Sequence, residues 1–243
     1  MAAKSPRFRR ILLKLSGEAL MGDSSFGIDP KVLKTVGREI HNLHEVGVEI
    51  AIVIGGGNIF RGLNSSEYGM GRIPADHMGM LATVINAIAL GEALQHMGSR
   101  TRIMSAIDMN KIAEPYIRER AVSHLEKKRI VLVGAGTGNP FFSTDTAAAL
   151  RAMEVKAEAL LKATKVDGVF DSDPEKNPDS KHFPRINYRD FLQRNLKVMD
   201  LTAVSLAMAQ NLPIIVFNLR KEGNIKKVIF GENVGTLISG ETS

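Results

Sequence analysis

The chain has 243 residues, 44% of them hydrophobic and 24% charged, which supplies a packed core and excludes a disordered chain. It has no cysteine, which excludes disulfides, thiolate metal sites and a cysteine nucleophile, and which fits a reducing compartment. The formal net charge of +6 suits phosphorylated small molecules, while 5% aromatics without tryptophan argue against a base-stacking platform, so no nucleic-acid partner is expected.

Residues 1–10 are basic and read as a solvated tail. The apolar run 11–15 is interrupted by Lys14, too short for a signal-peptide core, and reads as a buried strand stopped by Ser16-Gly17. Asp29-Pro30 offers an N-cap and a proline for the first helical turn. Val32, Leu33, Val36, Ile40, Leu43 and Val46 follow at helical spacing, and Gly47 closes the helix. A β-branched strand over 48–54 breaks at Gly55-Gly56-Gly57. Asp76 then opens a long helix reaching Met97, apolar nearly all round and expected to be deeply packed. Asn86, Glu92 and Gln95 make it too polar for a membrane span. Strands are predicted over 102–105 and 129–133, a helix over 144–159, and further strands over 166–170, 213–217 and 236–238. Alternating strands and helices with continuous apolar strands predict an α/β fold. The expectation is a three-layer αβα sandwich on a mainly parallel central sheet, one domain over 1–243. With no membrane or targeting segment, a cytoplasmic protein is expected.

Three glycine-rich turns follow strands directly: Ser16-Gly17, Gly55-Gly56-Gly57 and Gly134-Ala135-Gly136-Thr137-Gly138. Plain connection geometry explains any one of them. Three together, with Lys14 and Arg61 beside two, point to an anion site at the carboxyl ends of parallel strands. No Gly-Lys dipeptide occurs, which removes a Walker A loop. Asn139 and Phe60 stand where the dinucleotide fingerprint needs its last glycine. Protein-kinase triplets and the Gly-x-Ser-x-Gly elbow are also missing. His41 and His44 share a helix face, read as solvated in preference to metal-binding, and Met70, Met78, Met80, Met97 and Met104 read as core filler.

The segments ILLKLSGEAL (11–20), VIGGGNIFRG (53–62), DHMGMLATVINA (76–87), GTGNPFFSTDTAA (136–148), LKATKVDGVFDSDP (161–174) and KVMDLTA (197–203) resemble, in order, those of bacterial uridylate (UMP) kinases of the amino-acid-kinase superfamily. GTGNPFFSTD is specific to the uridylate branch. The resemblance implies transfer of the ATP γ-phosphoryl group to UMP, giving UDP and ADP in pyrimidine nucleotide biosynthesis. It implies catalytic roles for Lys14, Arg61, Asp145 and Asp200, with Asp200 equally readable as a helix cap. For ATP it implies Lys14, Leu15, Ser16, Gly17, Gly57, Arg61, Thr164, Phe170 and Asp173. For UMP it implies Gly56, Asp76, Thr137, Gly138, Asn139, Pro140, Phe141, Phe142, Ser143 and Thr144, with Asp76 accepting from the ribose or, alternatively, capping its helix. Mg2+ is expected to ride on ATP, without a dedicated protein metal site. The loop Gly22, Asp23, Ser24, Ser25, Phe26 and Gly27 occupies the effector position, with GTP as activator and UTP as inhibitor. A homohexamer is implied, and the apolar helix from Asp76 is the candidate contact. A carboxylate or carbamate kinase and a non-catalytic nucleotide sensor remain the alternatives.

Overall fold

The computed structural model describes residues 5–60 and 69–240. Among them a nine-stranded sheet runs in the order β4-β3-β5-β2-β1-β6-β10-β11-β9. The strands are β1 (Arg10–Leu15), β2 (Glu49–Ile54), β3 (Thr101–Ser105), β4 (Glu114–Pro115), β5 (Ile130–Gly134), β6 (Ala159–Thr164), β9 (Arg185–Asn187), β10 (Ile214–Asn218) and β11 (Thr236–Ser239). Every neighbouring pair is parallel except β10 with β11. A separate antiparallel pair joins β7 (Val169–Phe170) to β8 (His182–Phe183).

Helices cover both faces, because strands buried on two sides need apolar partners on each. Ile11, Leu13 and Leu15 of β1 pack with α1 (Pro30–Glu45), α2 (Arg72–His96) and α7 (Asn224–Ile229). Leu12 of the same strand faces α3 (Arg118–Glu126), α4 (Thr144–Glu154), α5 (Tyr188–Gln193) and α6 (Leu201–Ala209). The period-two alternation of β1 therefore assigns each side chain to a layer. α1 starts as expected, with the Asp29 carboxylate accepting from the Lys31 and Val32 amides and Pro30 in the first turn.

Several expectations need correction. The segment 144–159 is not one helix: α4 ends at Glu154, Lys156 adopts φ +56°, and Ala159 opens β6 beside β1. Only Val169–Phe170 of the 166–170 run is a strand, and it lies outside the main sheet. α2 begins at Arg72 with Gly71 at its cap, so Asp76 sits in the second turn and caps nothing. α2 is also not buried all round. Leu90 and Leu94 are fully buried, while Ile73, Leu81, Ile85 and Ile88 are exposed. By length and composition this helix is apolar enough to cross a membrane, yet half of its most apolar stretch is buried within the fold.

The basic N-terminus is tied down from Arg7 onward. The Arg7 amide donates to the Ile229 carbonyl, Phe8 is buried, and Arg10 Nε donates to Glu49 Oε2 at 2.6 Å. His41 and His44 do not form a solvated face: His41 Nδ1 lies 2.9 Å from Ser99 Oγ, and burial pushes the pKa of His44 down. Met80 and Met104 are core residues, but Met78 is exposed.

Candidate active site

Lys14 is the fourth residue of ILLKL, so the alternation that sends Leu13 to the α1–α2 layer sends Lys14 to the α4 layer. In the parallel register with β6 its partner is Lys162, the fourth residue of ALLKAT. Two lysines on neighbouring parallel strands at one level project from one face. α4 presents Asp145 to both. Lys14 Nζ lies 2.9 Å from Asp145 Oδ1, in ionic contact but off the line of a good hydrogen bond, and Lys162 Nζ donates to Asp145 Oδ2. All three residues are buried. Burial favours the neutral Asp145 acid, but the ammonium groups of Lys14 and Lys162 outweigh it and hold its carboxyl far below the usual range. Burial, with Lys14 adding to it, pushes the pKa of the Lys162 ammonium down against the pull of Asp145.

Asp200 caps α6, its Oδ1 accepting from the Thr202 amide at 3.0 Å. Its Oδ2 accepts from Ser143 Oγ and Thr146 Oγ1, each at 2.7 Å, and its amide approaches Asp145 Oδ2 at 3.3 Å. Burial raises the Asp200 carboxyl, but these hydroxyls and the Thr202 amide hold it below its ordinary value. Capping and a place beside Asp145 are thus compatible.

The glycine turns converge around this centre. A Cβ on Gly17 would stand 2.5 Å from the Gly55 carbonyl oxygen, so only glycine lets the first two turns touch. A Cβ on Gly56 would meet the Gly79 carbonyl and Ala82 of α2 at 2.8 Å. Leu15 ends β1 fully buried, and the Ser16 amide donates to Ala163 on β6. The third turn is stiffened by its own polar groups: the Asn139 amide donates to Thr137 Oγ1 at 3.2 Å. Ser143 caps α4 by accepting from the Thr146 amide.

Two clefts flank the centre. The first, with about 540 Å³ of space open to solvent, is lined by Gly56, Gly57, Asp76, Thr137, Asn139, Phe142 and Thr144 together with Thr83 and Met80 of α2. Asp76 accepts from Arg72 Nε and, through Oδ2, from the Phe141 amide at 2.7 Å. Burial raises the Asp76 carboxyl, but that amide and Arg72 bring it below its usual value. Phe141 takes φ +73° and is exposed. Gly138 and Pro140 are in the same segment but do not line the cleft. The second cleft, about 1120 Å³, gathers Thr164, Phe170 and Asp173 with Lys165 and Lys197. Arg61 lies outside the described residues. The Gly22 to Gly27 loop lines neither cleft, and its Gly27 backbone bonds Asn58 in the turn after β2.

The profile of the amino acid kinase family matches residues 9–218. The chain belongs to the amino acid kinase family. Among solved structures, the chain is similar to the UMP kinase of Bacillus anthracis, at 43% identity and a TM-score of 0.93, with 97% of each chain covered. It is also similar to the UMP kinase of Ureaplasma parvum, at 37% identity and a TM-score of 0.90 over 96% of this chain and 99% of that one. The uridylate kinase of Archaeoglobus fulgidus matches at 25% identity and a TM-score of 0.73, covering 94% of this chain and 99% of that one.

Sequence reading does not single out Lys162, Thr83 or Asn86. For Lys162 a signal exists. ILLKL and ALLKA are nearly the same string, and two copies on adjacent parallel strands align their lysines. The signal is masked because Ala, Leu and Lys are all good helix formers, so the second copy reads as the tail of a helix.

Proposed function

We propose that the chain transfers the γ-phosphoryl group of ATP to UMP, reversibly, giving UDP and ADP. A phosphate oxygen of UMP attacks the γ-phosphorus while the bond from that phosphorus to the β-phosphate bridging oxygen breaks. The UMP phosphate is an anion at neutral pH, so no general base is needed. The observation that carries the reading is the buried Lys14–Asp145–Lys162 cluster between two clefts. Thr144, adjacent to Asp145, lines one cleft, and Thr164, two residues beyond Lys162, lines the other. Two cations at that position match the charge that spreads over the transferring phosphoryl oxygens. Asp145 orients both ammonium groups. Its oxygens face lysines, which suits positioning rather than direct metal binding. Mg2+ enters on the ATP phosphates, where it neutralises phosphate charge. By the resemblance, Arg61 adds a guanidinium fork to the phosphates.

The first cleft takes UMP and the second takes adenosine. Asp76 exchanges its Phe141 partner for a ribose hydroxyl, and Thr137, Asn139 and the neighbouring backbone read the uracil edge. Thr164, Phe170 and Asp173 hold adenosine, while the turns at Gly17 and Gly57 bring backbone to the ATP phosphates. We read 1–243 as a single domain working in the cytoplasm on the route to UTP and CTP. The exposed apolar row Ile73, Leu81, Ile85 and Ile88 supports self-association, in a hexamer by the resemblance. GTP activation and UTP inhibition act through the Gly22 to Gly27 loop, whose bond to Asn58 gives it a path to the turn after β2.

The test is ADP release with Mg-ATP and a panel of acceptors. UMP should turn over strongly and CMP weakly, with none from glutamate, N-acetylglutamate or carbamate. The segment 136–144 contains no cation for an amino-acid carboxylate. Turnover of glutamate or carbamate in place of UMP would leave a kinase of another acceptor. Tight nucleotide binding without turnover would favour a sensor.

A further inference from the structure

One face of α2 holds both glycine turns that border the first cleft. Thr83 Oγ1 accepts from the Ala135 amide at 2.7 Å and donates to the Met80 carbonyl at 2.7 Å, so the hydroxyl is used in both senses. Ala135 has φ +61° and Gly136 has φ +59°. A residue with a Cβ adopts that region only when its surroundings hold it there. One turn further along, Asn86 Nδ2 donates to the Gly55 carbonyl at 2.7 Å and to Asn58 Oδ1 at 2.6 Å. Asn58 Nδ2 donates back to Asn86 Oδ1 and reaches the Gly27 carbonyl, both at 2.9 Å. Thr83, Asn86 and Asn58 are all buried. Positions three apart share a helix face, so one rigid element grips the turn after β5 and the turn after β2.

We infer that Thr83 and Asn86 are positioning residues that fix the spacing of these two turns across the acceptor cleft. Naming the acceptor as UMP rests on the functional reading above; the dependence of the turns on α2 does not. Without the Thr83 oxygen the Ala135 amide is left buried without an acceptor, and the turn relaxes out of its left-handed shape. Binding must then restore that shape, and apparent affinity falls with the fraction of competent turns. The second cleft has no lining residue from α2, so the loss is confined to one substrate.

Thr83→Val keeps shape and removes the acceptor. It should raise the KM for UMP about tenfold or more while leaving the KM for ATP within about twofold, and Thr83→Ser should restore the UMP value. Amide hydrogen exchange at Ala135 should speed up in the valine variant and return to the wild-type rate in the serine variant. If the valine variant does not fold, Thr83→Ala removes the same acceptor without added volume and carries both readings. Asn86→Asp keeps an acceptor for Asn58 but loses both donated bonds, so it should speed exchange in the 55–58 turn. An unchanged UMP KM, an equal rise in both KM values, or unchanged Ala135 exchange in a folded variant would overturn the inference. Wild-type protein inert toward UMP would remove the functional reading, and the exchange measurements would still decide the role of α2.

Discussion

Lys14 and Lys162 are ammonium groups held out of water, and only Asp145 among the described side chains bridges the two. Removing one lysine deletes a charge at the proposed transfer point while Asp145 keeps a partner. Lys14→Met and Lys162→Met should each lower kcat by about 10²–10³ with folding retained. Asp145→Asn removes the carboxylate that bridges two buried ammonium groups and should cost far more stability than either lysine change, read as the drop in Tm. The same carboxylate sets an acid limit. Its pKa is lower in the fold than in the unfolded chain, so its contribution to stability is complete above the unfolded value of about 3.9. That contribution drains away as pH falls below this value toward the lower folded one. Asp200 acts in the same direction. Thermal melts should therefore show no loss from these groups between pH 7 and 5 and a steepening loss below about pH 4; a loss centred near pH 6 would point to other groups. Asp76→Asn should weaken UMP binding and narrow its preference over 2′-deoxy-UMP, since an amide accepts less strongly than a carboxylate. Calorimetry showing unchanged affinity in a folded variant would leave Asp76 only its bonds to Arg72 and Phe141.

At the level of elements, the legible parts were those with a single period. β1, β2 and β5 are apolar runs stopped at or near Gly, α1 is an amphipathic run opened by Asp29-Pro30 and closed by Gly47, and their ends fall within about two residues of the expected places. β6 was hidden because an Ala-Leu-Leu-Lys-Ala run satisfies helix and strand alike, and only pairing with β1 and β10 selects the strand. That loss concealed Lys162, and with it half of the charge arrangement at the centre. The mixed character of α2 was hidden for another reason: a helix apolar all round reads as buried, whether it faces a core or a second subunit. The exposed row on α2 makes an element-scale prediction. Ile85→Glu should shift the protein toward smaller species in sedimentation, because a charge would have to be buried at the proposed contact. An unchanged oligomer would move the contact elsewhere. Replacing Asp23-Ser24-Ser25 with alanines should flatten a GTP dose response and spare basal turnover; an intact response would take the effector role from that loop.

Across the whole molecule, the parallel sheet explains why residues far apart in sequence meet. The turns after β1, β2 and β5 leave the same edge of the sheet, and α4 enters that edge with Asp145 in its first turn. The glycine turns and the acidic residues were legible because each is a local string. The neighbours that hold them were not, because Thr83, Asn86 and Lys162 act through contacts across the fold. On the proposed function, this edge is a phosphoryl-transfer centre built on two lysines bridged by Asp145. Rapid-quench measurement of UDP formation from bound Mg-ATP and UMP, in wild type and in Lys162→Met, tests it most directly. The transfer rate should fall by about 10²–10³ with both nucleotides still binding. Transfer at the wild-type rate in a folded Lys162→Met variant would contradict it.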